Sequence, residues 1–206
     1  MKTFIGGLIL VGLISNCSNT KTKDDEGAKE PTSQIVAAAE TGARIITEQT
    51  AADTLKGSLK AIAMGTIGNA GITINYYSPA IRGRMIWGGL IPFDNVWVTG
   101  AHRATSIDFN QEVIIGDVNI APGKYALFTI PGREEWTIII NKNWQQHLTD
   151  EYDSKDDIVR LKIRPETEEA HQERLRYAIE AESDTEGKIV IYWEKLEVSL
   201  PITTLK

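Results

Sequence analysis

Val159-Arg160-Leu161-Lys162-Ile163-Arg164 alternates apolar and cationic side chains one by one. Only an extended chain puts every second residue on the same side, so the stretch reads as a strand with one face in a core and the other in water. The same period recurs on both sides of it. Upstream, Trp136, Ile138 and Ile140 alternate with Thr137, Ile139 and Asn141. Downstream, Leu175, Tyr177 and Ile179 alternate likewise, and 189–193 and 198–202 supply two more apolar runs. Nearer the amino terminus, 124–130 lies between Pro122-Gly123 and Pro131-Gly132, preceded by 117–120, 112–115 and 105–109. Residues 59–66 and 72–77 flank Gly68-Asn69-Ala70-Gly71, a tight-turn composition. About ten strands at turn-rich intervals, with no long helical period, predict an all-β fold. The expected architecture is an antiparallel β-sandwich (jelly-roll-like) or a barrel. The polar stretch Glu166 to Glu173 reads as a loop or a helical turn.

Composition narrows the class. With 206 residues and 42% hydrophobic side chains, the chain is long enough for one well-buried domain plus a tail. A formal charge of −6 disfavours electrostatic binding of nucleic acid, so no nucleic-acid partner is expected. A single cysteine allows no internal disulfide and no C-x-x-C site. Every aromatic residue except Phe4 lies at or after Tyr76, which places the core in the carboxy-terminal part.

The apolar run Phe4 to Ile14 follows Lys2 and precedes Ser15, Asn16 and Cys17. Eleven residues make a helix of about 16 Å. That is half of a hydrocarbon layer roughly 30 Å thick, so the run suits a signal-peptide core better than a membrane span. Its position before Cys17 looks like a bacterial lipoprotein signal, in which the lipidated cysteine becomes the first mature residue. An ordinary secretory signal with an incidental cysteine is the alternative. The segmentation expected is 1–16 signal peptide, 17–55 lipidated cysteine, flexible tether and transition segment, and 56–206 a single β-sandwich domain. Such a protein would sit in the bacterial cell envelope, held to a membrane by its lipid, with the outer membrane favoured and a periplasmic or surface-exposed domain. Lys23-Asp24-Asp25-Glu26 resembles the lysine–acidic signals of surface lipoproteins, and equally reads as a solvated charge run.

From Gly83 onward a more specific pattern runs through the chain. It comprises Gly83-Arg84, then 86–92 (IWGGLIP), Val96-Trp97, Thr99-Gly100-Ala101 and Ala104-Thr105. Pro122-Gly123, Tyr125, Leu127, 129–131 (TIP), 135–137 (EWT) and Asn141 continue it. Together these motifs resemble the family called domain of unknown function 2911, found mainly in bacterial envelope proteins, with coverage from about residue 56 to the end. The resemblance implies no enzyme, cofactor or ligand. Three positions depart from the family pattern: Val98 stands where Arg is usual, His102 where Asn is usual, and Gln145 where Gly is common.

Several constellations are candidates for chemistry. Arg82 and Arg84 offer forked donors for a carboxylate or phosphate, and Trp87 offers a stacking face; the bland alternative is a structural loop. Trp97 is a further aromatic candidate, and an exposed Trp144 would be a contact point for a glycan or protein. His102-Arg103 would supply a base and an anion clamp, with Thr99, Thr105 and Asp108 close in sequence, but no nucleophile signature accompanies them. No catalytic residue and no cofactor is assigned. His102, His147 and His171 are too scattered for zinc. Asp150, Glu151, Asp153, Asp156 and Asp157 are rich in oxygen but lack the EF-hand order, so no metal is assigned and calcium stays an alternative to a solvated acidic loop. Gly65, Gly68 and Gly71 fit neither nucleotide-binding fingerprint. The expectation is a non-catalytic binding or interaction module for an envelope protein or glycan. The alternative is a hydrolase of an envelope polymer that uses the strip from Trp97 to Asp108 with Arg82 and Arg84.

Overall fold

The computed structural model describes residues 41–52 and 54–205. The signal segment, Cys17 and most of the tether lie outside the described residues. Strands form where the period of two predicts them: β1 (Leu59–Ile67), β2 (Ala70–Ser78), β3 (Thr105–Phe109), β4 (Val113–Ile115) and β5 (Val118–Ile120). They continue as β6 (Gly123–Ile130), β7 (Trp136–Asn141), β8 (Asp157–Ile163), β9 (Glu166–Ala181) and β10 (Glu186–Thr204). One 3-10 turn, Ser154–Asp156, precedes β8. No helix among the described residues is long and apolar enough to cross a membrane.

Two antiparallel sheets stack face to face. The larger has the order β1-β2-β3-β6-β7-β8 and the smaller β5-β4-β10-β9. The larger is sequential apart from the excursion of β4 and β5 into the smaller one, unlike the double Greek key of a jelly roll. It keeps β1 and β8 as edges, so the fold is a sandwich and not a closed barrel. Inward positions such as Ile72, Ile74, Ile107, Leu127, Ile138 and Ile191 are nearly or fully shielded, each contributing roughly 1.5–3 kcal/mol relative to exposure.

Two expectations about the last strands are corrected. Glu166 to Glu173 is neither loop nor helical turn; it is the first half of β9, paired with β10 through Leu196↔Thr167 and Glu197↔Glu166. Its side chains are polar because β9 is an edge strand, largely solvent-facing up to His171. The runs 189–193 and 198–202 belong to one long strand, β10, whose register shifts on either side of Glu194. Glu194 has φ 59°, and this irregularity breaks the apolar alternation that made the strand look like two.

The seam between the β1 and β9 edges is narrow. A Cβ placed on Gly65 would lie 2.7 Å from Ile179 Cβ, so β1 approaches β9 only because glycine stands there. Residues 43–49 bridge the same seam. Arg44 pairs with Ala61 of β1 in a parallel bridge, and the Gln49 carbonyl accepts the Glu173 amide of β9 at 2.8 Å.

Candidate functional site

Three consecutive polar residues of β9, Gln172, Glu173 and Arg174, are all buried. A buried polar group is tolerated when it is hydrogen-bonded, and each of these secures a different stretch of chain. Gln172 Nε2 donates to the Thr47 carbonyl at 3.2 Å. The Glu173 carboxylate accepts the Arg82 amide at 3.0 Å. Arg174 donates to the carbonyls of Leu55 and Ser78, both at 2.9 Å, and to Gly57 at 3.3 Å. Nothing in the charged run Glu166 to Glu173 suggests this role, because alternation does not reveal which polar residues lie under a loop.

The long connection from β2 to β3 closes one end of the sandwich against that clamp. Its Ile81 amide donates to the Glu173 carbonyl at 2.9 Å, and Trp97 exchanges two backbone bonds with Thr129 of β6. Arg82 donates through its guanidinium to the Leu55 carbonyl, and Arg84 donates to the carbonyls of Ala80 and Ile81. Both cations therefore hold backbone. Gly88 turns at φ 77°, and a Cβ there would lie 2.8 Å from the Phe93 ring, so the turn accepts only glycine. Trp87 meets Trp97, Trp136 and Trp193 edge to face, with centroids 5.9, 4.8 and 5.6 Å apart. Trp97 stacks on Trp193 and donates its indole N–H to the Gly100 carbonyl at 3.0 Å. Trp87 and Trp97 thus belong to the core. Over this end lies a mainly apolar cavity of about 260 Å³, walled by Trp97, Trp193, Leu90 and Leu148 with Arg84 and His102 at its edge.

The hydroxyls near His102 are committed. Thr99 and Thr105 are fully buried; Thr99 Oγ1 bonds to the Trp97 carbonyl and the Thr129 hydroxyl, and Thr105 Oγ1 donates to the Thr99 carbonyl at 3.0 Å. The exposed ring of His102 meets the edge of Tyr77, with centroids 5.1 Å apart. Its φ of 64° lies in the left-handed region, where His is enriched along with Asn and Asp. Tyr177 donates its phenol to the Thr99 carbonyl at 2.8 Å and packs on Tyr76. Burial pushes the pKa of both phenols up.

A second concavity lies on the outer face of the larger sheet. Cross-strand pairing puts Ile62, Asn75, Ser106, Ala126, Asn141 and Asp157 in one row across all six strands. The β7–β8 connection, residues 142–156, covers the far half of that row. It is pinned by Asn141 Nδ2, which donates to Asp157 at 2.8 Å and to the Asp153 carbonyl at 3.0 Å. Tyr152 and Arg160 also donate to Asp157, at 2.8 and 2.6 Å. Burial and the neighbouring Asp157 carboxylate raise the pKa of the Tyr152 phenol. The acidic run is thereby dispersed: Asp157 turns inward, Asp153 accepts the Lys155 amide, and Asp150 meets His147 at 2.9 Å. Among the described residues no group of three or more His, Cys, Asp and Glu is placed to hold a metal.

At the near end Ile62 packs under Ala43 and Ile45, and between that contact and the loop the row floors a groove of about 350 Å³. Asn75 and Ser106 form its floor, Tyr77 and Trp144 stand over it, and Arg103 and Lys60 line it. Lys124 rests over the Trp144 ring at 4.4 Å. Of the sequence candidates, Arg103 and Trp144 come together here with His102 at the border. Arg82, Arg84, Trp87 and Trp97 do not. Sequence reasoning missed Tyr77, Asn75, Ser106 and Lys60. Their alternation marks some of them as outward-facing, but only the register shows that they converge.

A two-sheet antiparallel sandwich with one end closed by a Gly- and Trp-rich connection is the class these features define. The chain belongs to the family described as Protein of unknown function (DUF2911), whose model matches residues 58–202. No curated protein and no solved structure matches the chain.

Proposed function

We infer that the protein is a lipid-anchored module of the bacterial cell envelope that binds a glycan and performs no chemistry on it. The observation that carries the reading is the open groove. Aromatic rings over a floor of amide and hydroxyl groups suit sugar rings, which offer C–H faces and hydroxyls together. Asn75 and Ser106 make no side-chain hydrogen bond among the described residues, so their polar atoms are available to a ligand. His102 bonds to none of the hydroxyls near it, and Thr99 and Thr105 spend theirs inside the fold. Attachment through Cys17, with the outer membrane favoured, rests on the sequence pattern.

Two measurements test this. Cys17→Ala should move the protein from the membrane to the soluble fraction; retention in the membrane would refute the lipid anchor. The full-length protein should co-sediment with insoluble envelope polysaccharide and lose that property on Trp144→Ala or Tyr77→Ala with the fold intact. Co-sedimentation unchanged in both variants would remove the groove as the site. Release of soluble saccharide would mark the hydrolase alternative.

A further inference from the structure

We propose that the outer-face groove selects an acidic saccharide, with Arg103 gripping a sugar carboxylate while Asn75 and Ser106 bond to its ring hydroxyls. The inference rests on the glycan reading above and adds the charge of the ligand. The protein carries −6 overall, yet the groove and its wall bring together Arg103, Lys60 and Lys124. Of the carboxylates on this face, Asp108 is the cross-strand partner of Lys124, Asp150 meets His147 beside Arg103, and Asp157 is engaged by Asn141, Tyr152 and Arg160.

The three cations are not equivalent. Lys60 donates to the Thr41 carbonyl at 2.7 Å, and Lys124 rests on the Trp144 ring. Arg103 is exposed, and its guanidinium makes no hydrogen bond or ion pair among the described residues. Its backbone, by contrast, is fixed. The Arg103 amide donates to the Ala101 carbonyl at 2.7 Å, and the residue bridges to His147 of the loop that carries Trp144. A planar, permanently charged fork on a fixed backbone suits two-pronged recognition of a carboxylate. Arg82 and Arg84, its counterparts at the closed end, have their forks occupied by carbonyls. The floor supplies the second half of the recognition. Asn75 and Ser106 are directly paired across β2 and β3, so an amide and a hydroxyl stand side by side below the fork. A cleft of about 350 Å³ suits a short saccharide and is at the small end of ligand sites.

The test uses the full-length protein in detergent and two probes with the same ring, oligogalacturonate and its methyl ester, titrated by calorimetry. The acid should bind at least tenfold more tightly than the ester. Arg103→Gln should bring the acid down to the affinity of the ester and leave the ester unchanged. Trp144→Ala should weaken both. Equal binding of acid and ester, or an acid affinity that survives Arg103→Gln, would overturn the inference. If Trp144→Ala still weakened the two equally bound probes, the glycan reading would stand without it. Binding of neither probe would overturn the inference as well, and the sedimentation experiment would then decide the glycan reading by itself.

Discussion

The closed end and the outer-face groove use similar residues to opposite effect. Each has arginine, aromatic rings and loop backbone. At the closed end the arginine forks are filled by the carbonyls of Leu55, Ala80 and Ile81, and the indoles pack on one another. In the groove the Arg103 fork and the side chains of Asn75 and Ser106 have no partner among the described residues, and the rings of Tyr77 and Trp144 are only half-buried. Residue type therefore does not distinguish a site from a scaffold. What distinguishes them is whether the donors are already spent.

The largest effect that would sharpen this contrast is expected at Arg174. Replacing it by methionine removes the donor to the carbonyls of Leu55, Gly57 and Ser78. Stranding the buried Ser78 carbonyl costs about 1–3 kcal/mol, and the part-buried bonds to Leu55 and Gly57 add less each, so urea unfolding of Arg174→Met should show a loss on the order of 3 kcal/mol. A loss under about 1 kcal/mol would mean that the clamp does not hold the closed end together.

An intermediate effect concerns alkali. Tyr76 and Tyr177 have folded-state pKa values raised by burial, so the fold keeps both phenols neutral while the unfolded chain ionises them near pH 10. Their contribution to stability is complete below that pH and is lost as pH rises above it, with a slope of about 1.4 kcal/mol per pH unit for each tyrosine. Tyr177→Phe should remove one proton from this slope in unfolding curves taken from pH 9 to 11. An unchanged slope would show that Tyr177 does not stay neutral in the fold.

The smallest effect should be at the groove. Arg103→Gln touches no internal bond, and its unfolding free energy should change by less than about 0.5 kcal/mol. A shift like that of Arg174→Met would break the comparison, since Arg103 would then be scaffold too.

The strands were legible because a period of two survives wherever one face meets water. Val159 to Arg164 shows this, and so does β2, whose buried Ile72, Ile74 and Tyr76 alternate with half-buried Thr73, Asn75 and Tyr77. Legibility failed where a loop lies over the outer face. Ile139 and Asn141 are buried as deeply as Ile138 and Ile140, because residues 142–156 cover them. It failed again at Gln172 to Arg174, where burial comes from segments more than a hundred residues away. The groove was half legible. Arg103 and Trp144 stand out by type, whereas Asn75 and Ser106 meet only through the β2–β3 register.

The segment 43–49 has a mechanical consequence. It is bonded to β1 through Arg44 and to β9 through Gln49, so a pull on the chain before residue 43 meets the Arg44 bridge on one sheet first and the Gln49 bond on the other only once that bridge yields. Arg44 runs parallel to β1, and tension along that line shears its bonds together instead of peeling them one at a time. A domain towed by its amino-terminal end would thus have two successive anchor points, one on each sheet, to give way before any core strand is stripped.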